Sequence, residues 1–183
     1  MESACEEQLR PKPRIAIVVY KVGPYHAARF DALSDDADVV VIELTGEDTH
    51  YAWSPIANSL KFSKVTLFPN EDSTRVTRNR SVVELERALV AVRPDVVAVN
   101  GWSDPHARIA LRWCRLNFVP AVLMSDSRNE DKKRNSRLEW MKSLLVREFS
   151  SALVAGNAQK RYLRQLGMPK ERIEVGLDVV DKD

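Results

Sequence analysis

Six short runs of apolar, mostly β-branched residues divide the chain, at 14–20, 38–44, 65–68, 96–99, 121–124 and 152–155, and a short last strand is expected at 172–175. The first six are apolar at consecutive positions rather than at alternate ones, which predicts strands buried on both faces. Helical spacing recurs between them. Ser81-Val-Val-Glu84 reads as a capping box, and Val82, Leu85, Leu89 and Val92 then return every three or four residues. Asp104 sets a capping residue ahead of Pro105, with Ile109, Trp113 and Leu116 following. A second capping box, Ser136 with Glu139, leads into Leu138, Met141, Leu145 and Phe149. Asn157 opens a last helix that Gly167 and Pro169 close. Gly23 and Pro24 precede a helix holding Ala28 and Leu33. Strands alternating with helices predict an α/β domain, a doubly wound Rossmann-like parallel sheet with helices on both faces.

Two connections, 45–63 and 69–80, are polar and without periodicity, longer than compact domains usually need. The first holds His50, Tyr51 and Trp53, aromatics that either line a cleft or pack onto the sheet edge. The second carries Arg75, Arg78 and Arg80, either for an anionic ligand or as a solvated face.

Composition narrows the class. A chain of 183 residues suits one domain, and 44% hydrophobic against 30% charged residues is ordinary for a soluble fold. Lys and Arg number 28 against 26 Asp and Glu, so the basic excess of a dedicated nucleic-acid binder is missing. Cys5 and Cys114 lie too far apart for a metal knuckle, and a structural disulfide is not expected, which suits a reducing cytoplasm. Residues 1–13 form a polar leader, expected to be mobile and unlike a secretory signal. No apolar run approaches the roughly 18 residues of a membrane span, which leaves peripheral membrane contact open.

Open parallel sheets bind ligands outside the carboxyl ends of their strands, where strand order reverses. Three loops are expected to meet there. The loop after the first strand holds Gly23 and His26, and the helix that follows offers unpaired N–H groups for a diphosphate. A plain turn and a structural histidine explain the same residues. The loop after the fourth strand holds Asn100, Gly101 and Trp102, a hydrogen-bonding amide and an aromatic face around a turn. Here too a turn glycine and a core tryptophan are the alternative. The loop after the fifth strand holds Ser125, Asp126 and Arg128. Asp126 is the candidate catalytic carboxylate, as a base or as a stabiliser of developing positive charge; a turn cap is the alternative. Residues 128–137 include five basic side chains beside Glu130 and Asp131, suited to a phosphate-bearing or lipid-linked ligand or to plain solvation. No metal site is expected.

Several of these strings resemble the N-terminal domain of family-4 glycosyltransferases, two-domain enzymes of the GT-B fold. Pro94-Asp-Val-Val-Ala-Val-Asn-Gly101 is similar to the family's Pro-Asp-Val-Val-His-x-His-Gly, with Ala98 and Asn100 where histidines usually stand. The resemblance implies that Asn100 bonds a sugar hydroxyl, that Trp102 stacks on a sugar face, and that Asp126, in the register of a family histidine close to the transferred sugar, stabilises positive charge on the sugar ring. Leu166-Gly167-Met168-Pro169 followed by Gly176-Leu-Asp178 resembles the end of that domain. The resemblance implies an acceptor-binding domain over 14–176 and an interdomain linker beginning at 177–183. It also implies a sugar or lipid-linked acceptor, a nucleotide-sugar donor as co-substrate without another cofactor, and a separate C-terminal donor-binding half that this sequence does not contain. Alone, such a half is expected to be inactive. Its last strand is expected to be poorly tied, and Leu177, Val179 and Val180 exposed, favouring self-association. A non-enzymatic or single-domain α/β module binding a nucleotide or small ligand fits the same residues.

Overall fold

The computed structural model describes residues 11–47, 60–102, 104–127 and 136–177. Seven strands form one parallel sheet: β1 (Arg14–Val19), β2 (Asp38–Glu47), β3 (Ser63–Asp72), β4 (Val96–Asn100), β5 (Ala121–Ser125), β6 (Ser151–Val154) and β7 (Ile173–Val175). Their spatial order is β3-β2-β1-β4-β5-β6-β7. The chain therefore winds outward from β1 to β3, returns to lay β4 beside β1, and winds outward again to β7. The reversal falls between β1 and β4, where Ile17 pairs with Ala98 and Val18 with Val99. Five helices connect the strands: α1 (Pro24–Leu33), α2 (Arg78–Val92), α3 (Pro105–Asn117), α4 (Ser136–Val146) and α5 (Asn157–Gln165).

Consecutive strand residues point to opposite faces, so continuous apolar runs fill two cores. Ala16, Val18, Ile42, Val97, Val99, Leu123 and Val154 face one side and pack against Leu85 and Leu89 of α2, Ala110 and Trp113 of α3, and Leu163 of α5. Ile17, Val19, Val41, Ala98 and Met124 face the other, against Ala27 and Phe30 of α1 with Phe62 and Leu177. Right-handed crossovers account for the division, since the two windings run in opposite directions from the centre.

Several boundaries differ from expectation. The 69–80 connection is mostly structured: β3 runs to Asp72, a 3₁₀ turn spans Ser73–Arg75, and α2 starts at Arg78. Arg80 makes a two-pronged bond to Glu71 (2.7 Å each) and lies 4.9 Å over the Phe68 ring, so it serves the fold. The Ser81 box lies one turn inside α2, where Ser81 is buried and its Oγ donates to the Thr77 carbonyl at 3.2 Å. Gly156 rather than Asn157 caps α5. β2 and β3 converge past the sheet centre because Gly46 lacks a Cβ, which would stand 2.6 Å from the Pro69 carbonyl oxygen. His50, Tyr51 and Trp53 lie outside the described residues.

The last strand is well tied, contrary to expectation. Ile173 is fully buried, β7 pairs with β6 in register, and the Gly176 and Leu177 N–H groups both donate to Val154 O. Leu177 is buried at 8% exposure rather than exposed, because it finds a seat on the second core beside α1. Val179 and Val180 lie outside the described residues.

Candidate functional site

The carboxyl end of the sheet opens into a cleft of about 100 Å3 at the β1/β4 reversal. Val19, Phe30 and Met124 form its floor; His26, Arg29, Asn100, Asp126 and Leu177 form its walls. Candidate residues from the three loops after β1, β4 and β5 therefore stand around one space.

On the first wall, His26 sits in the opening turn of α1 and its Nδ1 accepts the Gly23 N–H at 3.1 Å. Gly23 has no side chain to complete a capping box, so the histidine alone closes the helix start. That bond occupies the Gly23 N–H, which is therefore not available to a diphosphate as expected. The His26 ring stacks on Phe30 with centroids 5.8 Å apart. Burial, then the neighbouring Arg29 charge, hold its pKa below 6.5 against a hydrogen bond with the Lys21 backbone. The imidazole is thus neutral at pH 7. Arg29 follows one turn later; its Nε donates to Tyr25 O at 3.2 Å and its Nη1 to Leu177 O, pinning the residue after β7 against α1.

The second wall ends β4. Asn100 is exposed at the strand terminus. Gly101 takes φ 76 and donates its N–H to Met124 O at 2.7 Å, a left-handed turn that favours glycine. Trp102 does not reach the cleft. It is 6% exposed and meets Tyr162 edge-on at 5.9 Å, so it is core and not a sugar platform. Beyond it Asp104 caps α3, its Oδ1 accepting the His106 N–H at 2.7 Å and lying 2.7 Å from His106 Nδ1. Burial works to raise the Asp104 pKa, but the His106 hydrogen bonds outweigh it and the net shift is downward.

The third wall follows β5. Ser125 is buried, and its Oγ accepts the Ser127 N–H at 3.2 Å, a turn contact rather than a ligand contact. Asp126 is exposed, and its backbone carbonyl accepts a bond from the buried Gln159 amide at 3.1 Å. Asp126 lines the cleft. Arg128 lies outside the described residues. Arg29 was missed in the sequence, although its spacing of one turn from His26 places both on one helix face.

A buried carboxylate supports the rim from behind. Glu43, 2% exposed on β2, accepts from Val22 N–H at 3.1 Å, Lys64 Nζ at 2.7 Å and Thr66 Oγ1 at 2.7 Å. It thereby fixes the loop that leads into α1. The described residues hold no cluster of three metal-ligating side chains. None of their helices is long and apolar enough to cross a membrane.

No family model and no curated protein matches this chain. Solved structures do match it in fold. A UDP-N-acetylglucosamine 2-epimerase from Rickettsia bellii superposes with TM-score 0.62 at 12% identity, over 90% of this chain and 44% of that one. Anabaena HepE, solved in complex with UDP and glucose, gives 0.60 at 12% identity over 89% and 43%. MnaA of S. aureus, solved with UDP, gives 0.59 at 15% identity over 89% and 43%. The chain thus spans less than half the length of these enzymes, and identities this low establish the fold: a Rossmann-like α/β domain matching one half of such two-part architectures.

Proposed function

We propose that this chain is one wall of a nucleotide-sugar site, the acceptor-side half of a GT-B glycosyltransferase. The observation that carries the reading is the cleft at the β1/β4 reversal. There the Asn100 side chain and the Asp126 carboxylate, with no hydrogen-bond partner for either among the described residues, stand beside neutral His26 and cationic Arg29. Asn100 would bond a sugar hydroxyl. Asp126 would either accept the acceptor proton or stabilise positive charge developing on the sugar ring. Further support comes from three sources: the strand-end strings that resemble family-4 enzymes, the fold shared with solved enzymes that hold UDP, and the volume. A cleft of about 100 Å3 is below the roughly 300 Å3 at which pockets enclose whole ligands. One wall therefore meets only part of a nucleotide sugar, and the rest would be met by a second domain.

Catalysis by the chain alone is not expected, since diphosphate neutralisation and alignment of the reacting hydroxyl need a closed cleft. Epimerisation is the second reading, favoured by the solved neighbours named as UDP-N-acetylglucosamine 2-epimerases. It inverts a carbon bearing hydrogen and so needs a base at the ring, for which Asp126 is again the candidate. Co-expression with a plausible C-terminal half, followed by incubation with UDP-sugars in deuterated water, separates the two. Sugar transfer with UDP release supports the transferase. Deuterium incorporated at C2 without an acceptor supports the epimerase. Neither product, with nucleotide still bound, leaves a binding module. Robust turnover by the 183-residue chain alone, abolished by Asp126→Ala, would overturn the one-wall reading.

A further inference from the structure

The geometry of α4 and α5 points to a second surface, which shares no lining residue with the cleft, and we propose that it docks on anionic phospholipid membranes. A helix that covers a soluble core normally buries one apolar stripe and shows solvent a polar one. α4 does not. It turns Val146 and Leu145 inward, yet Trp140, Met141 and Leu144 stand outward at 63%, 60% and 44% exposure. At 100° per residue these three share the outer face, with Arg137 and Arg147 near its two ends.

α5 lies alongside. Lys142 Nζ donates to Tyr162 OH at 3.0 Å, and at the far end the Arg147 guanidinium stands within 3 Å of where a Gly167 Cβ would be. The exposed side of α5 carries Arg161 and Arg164, which line a shallow depression of about 680 Å3 with Lys170 and a single acid, Glu171. Nearby carboxylates are engaged elsewhere, Glu148 by Arg115 at 2.8 Å and Glu139 by Lys142 at 2.8 Å. Among the described residues Arg147, Arg161, Arg164 and Lys170 pair with no acidic side chain. An apolar stripe led by tryptophan therefore borders a cationic one, on a chain whose net charge is only +2.

Charge decides the occupant. A second copy meeting this face across a two-fold axis would bring cation against cation. An anionic bilayer complements both stripes: tryptophan and aliphatic side chains enter at headgroup depth while arginines stay with the phosphates. The proposal stands independently of what the cleft binds.

Vesicle flotation of the full chain tests it, with phosphatidylcholine alone against phosphatidylcholine carrying about 30% phosphatidylglycerol. Binding is expected on the anionic vesicles only, weakening as salt shortens the screening length from about 10 Å towards 3 Å. Arg161→Gln with Arg164→Gln should weaken it about twenty-five-fold, at about fivefold per basic residue. Trp140→Ser with Leu144→Ser, both surface changes, should abolish it while thermal unfolding stays within a few degrees of the parent. Fluorescence of the parent should shift blue on binding, and that shift should vanish in Trp140→Phe. Absence of binding to anionic vesicles overturns the proposal, including the case in which the Trp140 and Leu144 changes instead dissolve a dimer. Binding that survives both sets of substitutions overturns it equally.

Discussion

The two faces of the sheet are unequally built. On the first, α2, α3 and α5 lie over the strands, and Leu85, Leu89, Val97, Val99 and Leu123 are wholly excluded from solvent. On the second, α1 covers the β1 region, and closure is completed by single residues from distant places, Phe62 before β3 and Leu177 after β7. The cleft opens on this second face. Dense packing is thus concentrated away from the cleft, and the cleft wall is held by a few single contacts: His26 to Gly23, Arg29 to Leu177, Gln159 to Asp126. Lid-like and ligand-facing parts of proteins are drawn from such low-stability regions.

Truncation on the first face should cost most. Leu89→Ala is expected to destabilise by about 3–5 kcal/mol, since neighbours held by three elements cannot collapse into the cavity. Leu177→Ala, on the second face, should cost about 2 kcal/mol, because Leu177 sits in the smaller core and keeps 8% of its surface exposed. Urea midpoints at unchanged slope measure both, and equal losses would erase the contrast. A third change tests the close approach of β2 and β3. Gly46→Ala should cost about 1–3 kcal/mol, because the new methyl meets the Pro69 carbonyl at 2.6 Å.

Protonation should discriminate between the faces more finely. The folded His26 pKa lies below the 6.5 of the unfolded chain, so the unfolded state binds more protons between the two values. Its contribution is complete above pH 6.5 and is lost as pH falls through the folded value. Wild type should therefore lose stability between pH 7.5 and 5.5 by a margin that His26→Gln removes. The first face answers differently: burial pushes the Cys114 thiol up to about 12, so it should resist alkylation in the native state and react only on unfolding. Rapid native labelling of Cys114 would show the first core to be more open than its packing indicates.

Six of the seven strands were legible in the sequence as runs of consecutive apolar residues, while β7, Ile173-Glu174-Val175, was legible only from its place behind Gly167 and Pro169. Helix starts were less so. Ser81 and Asn157 have good capping chemistry, but Thr77 and Gly156 stand at the cap positions, and tertiary contacts such as Arg80 with Glu71 extend α2 past its local signal. The three rim loops were found through the reversal rule, which needs only strand order. Which side chains turn into the cleft was not readable. Trp102 and Ser125 belong to the strand ends that bury themselves, while Arg29 and Leu177 arrive from a helix turn and from a segment 148 residues further on. Contacts of that separation leave no local trace.

The most direct test of the cleft assignment is an NMR titration of the isotopically labelled chain with UDP-N-acetylglucosamine, carried to about 10 mM to reach the millimolar affinity expected of one wall. The account predicts shift changes confined to residues 23–30, 100–102 and 124–127, lost in Asp126→Ala, with 167–171 unaffected. Unchanged spectra at the carboxyl rim throughout the titration, or changes centred on 167–171, would contradict it.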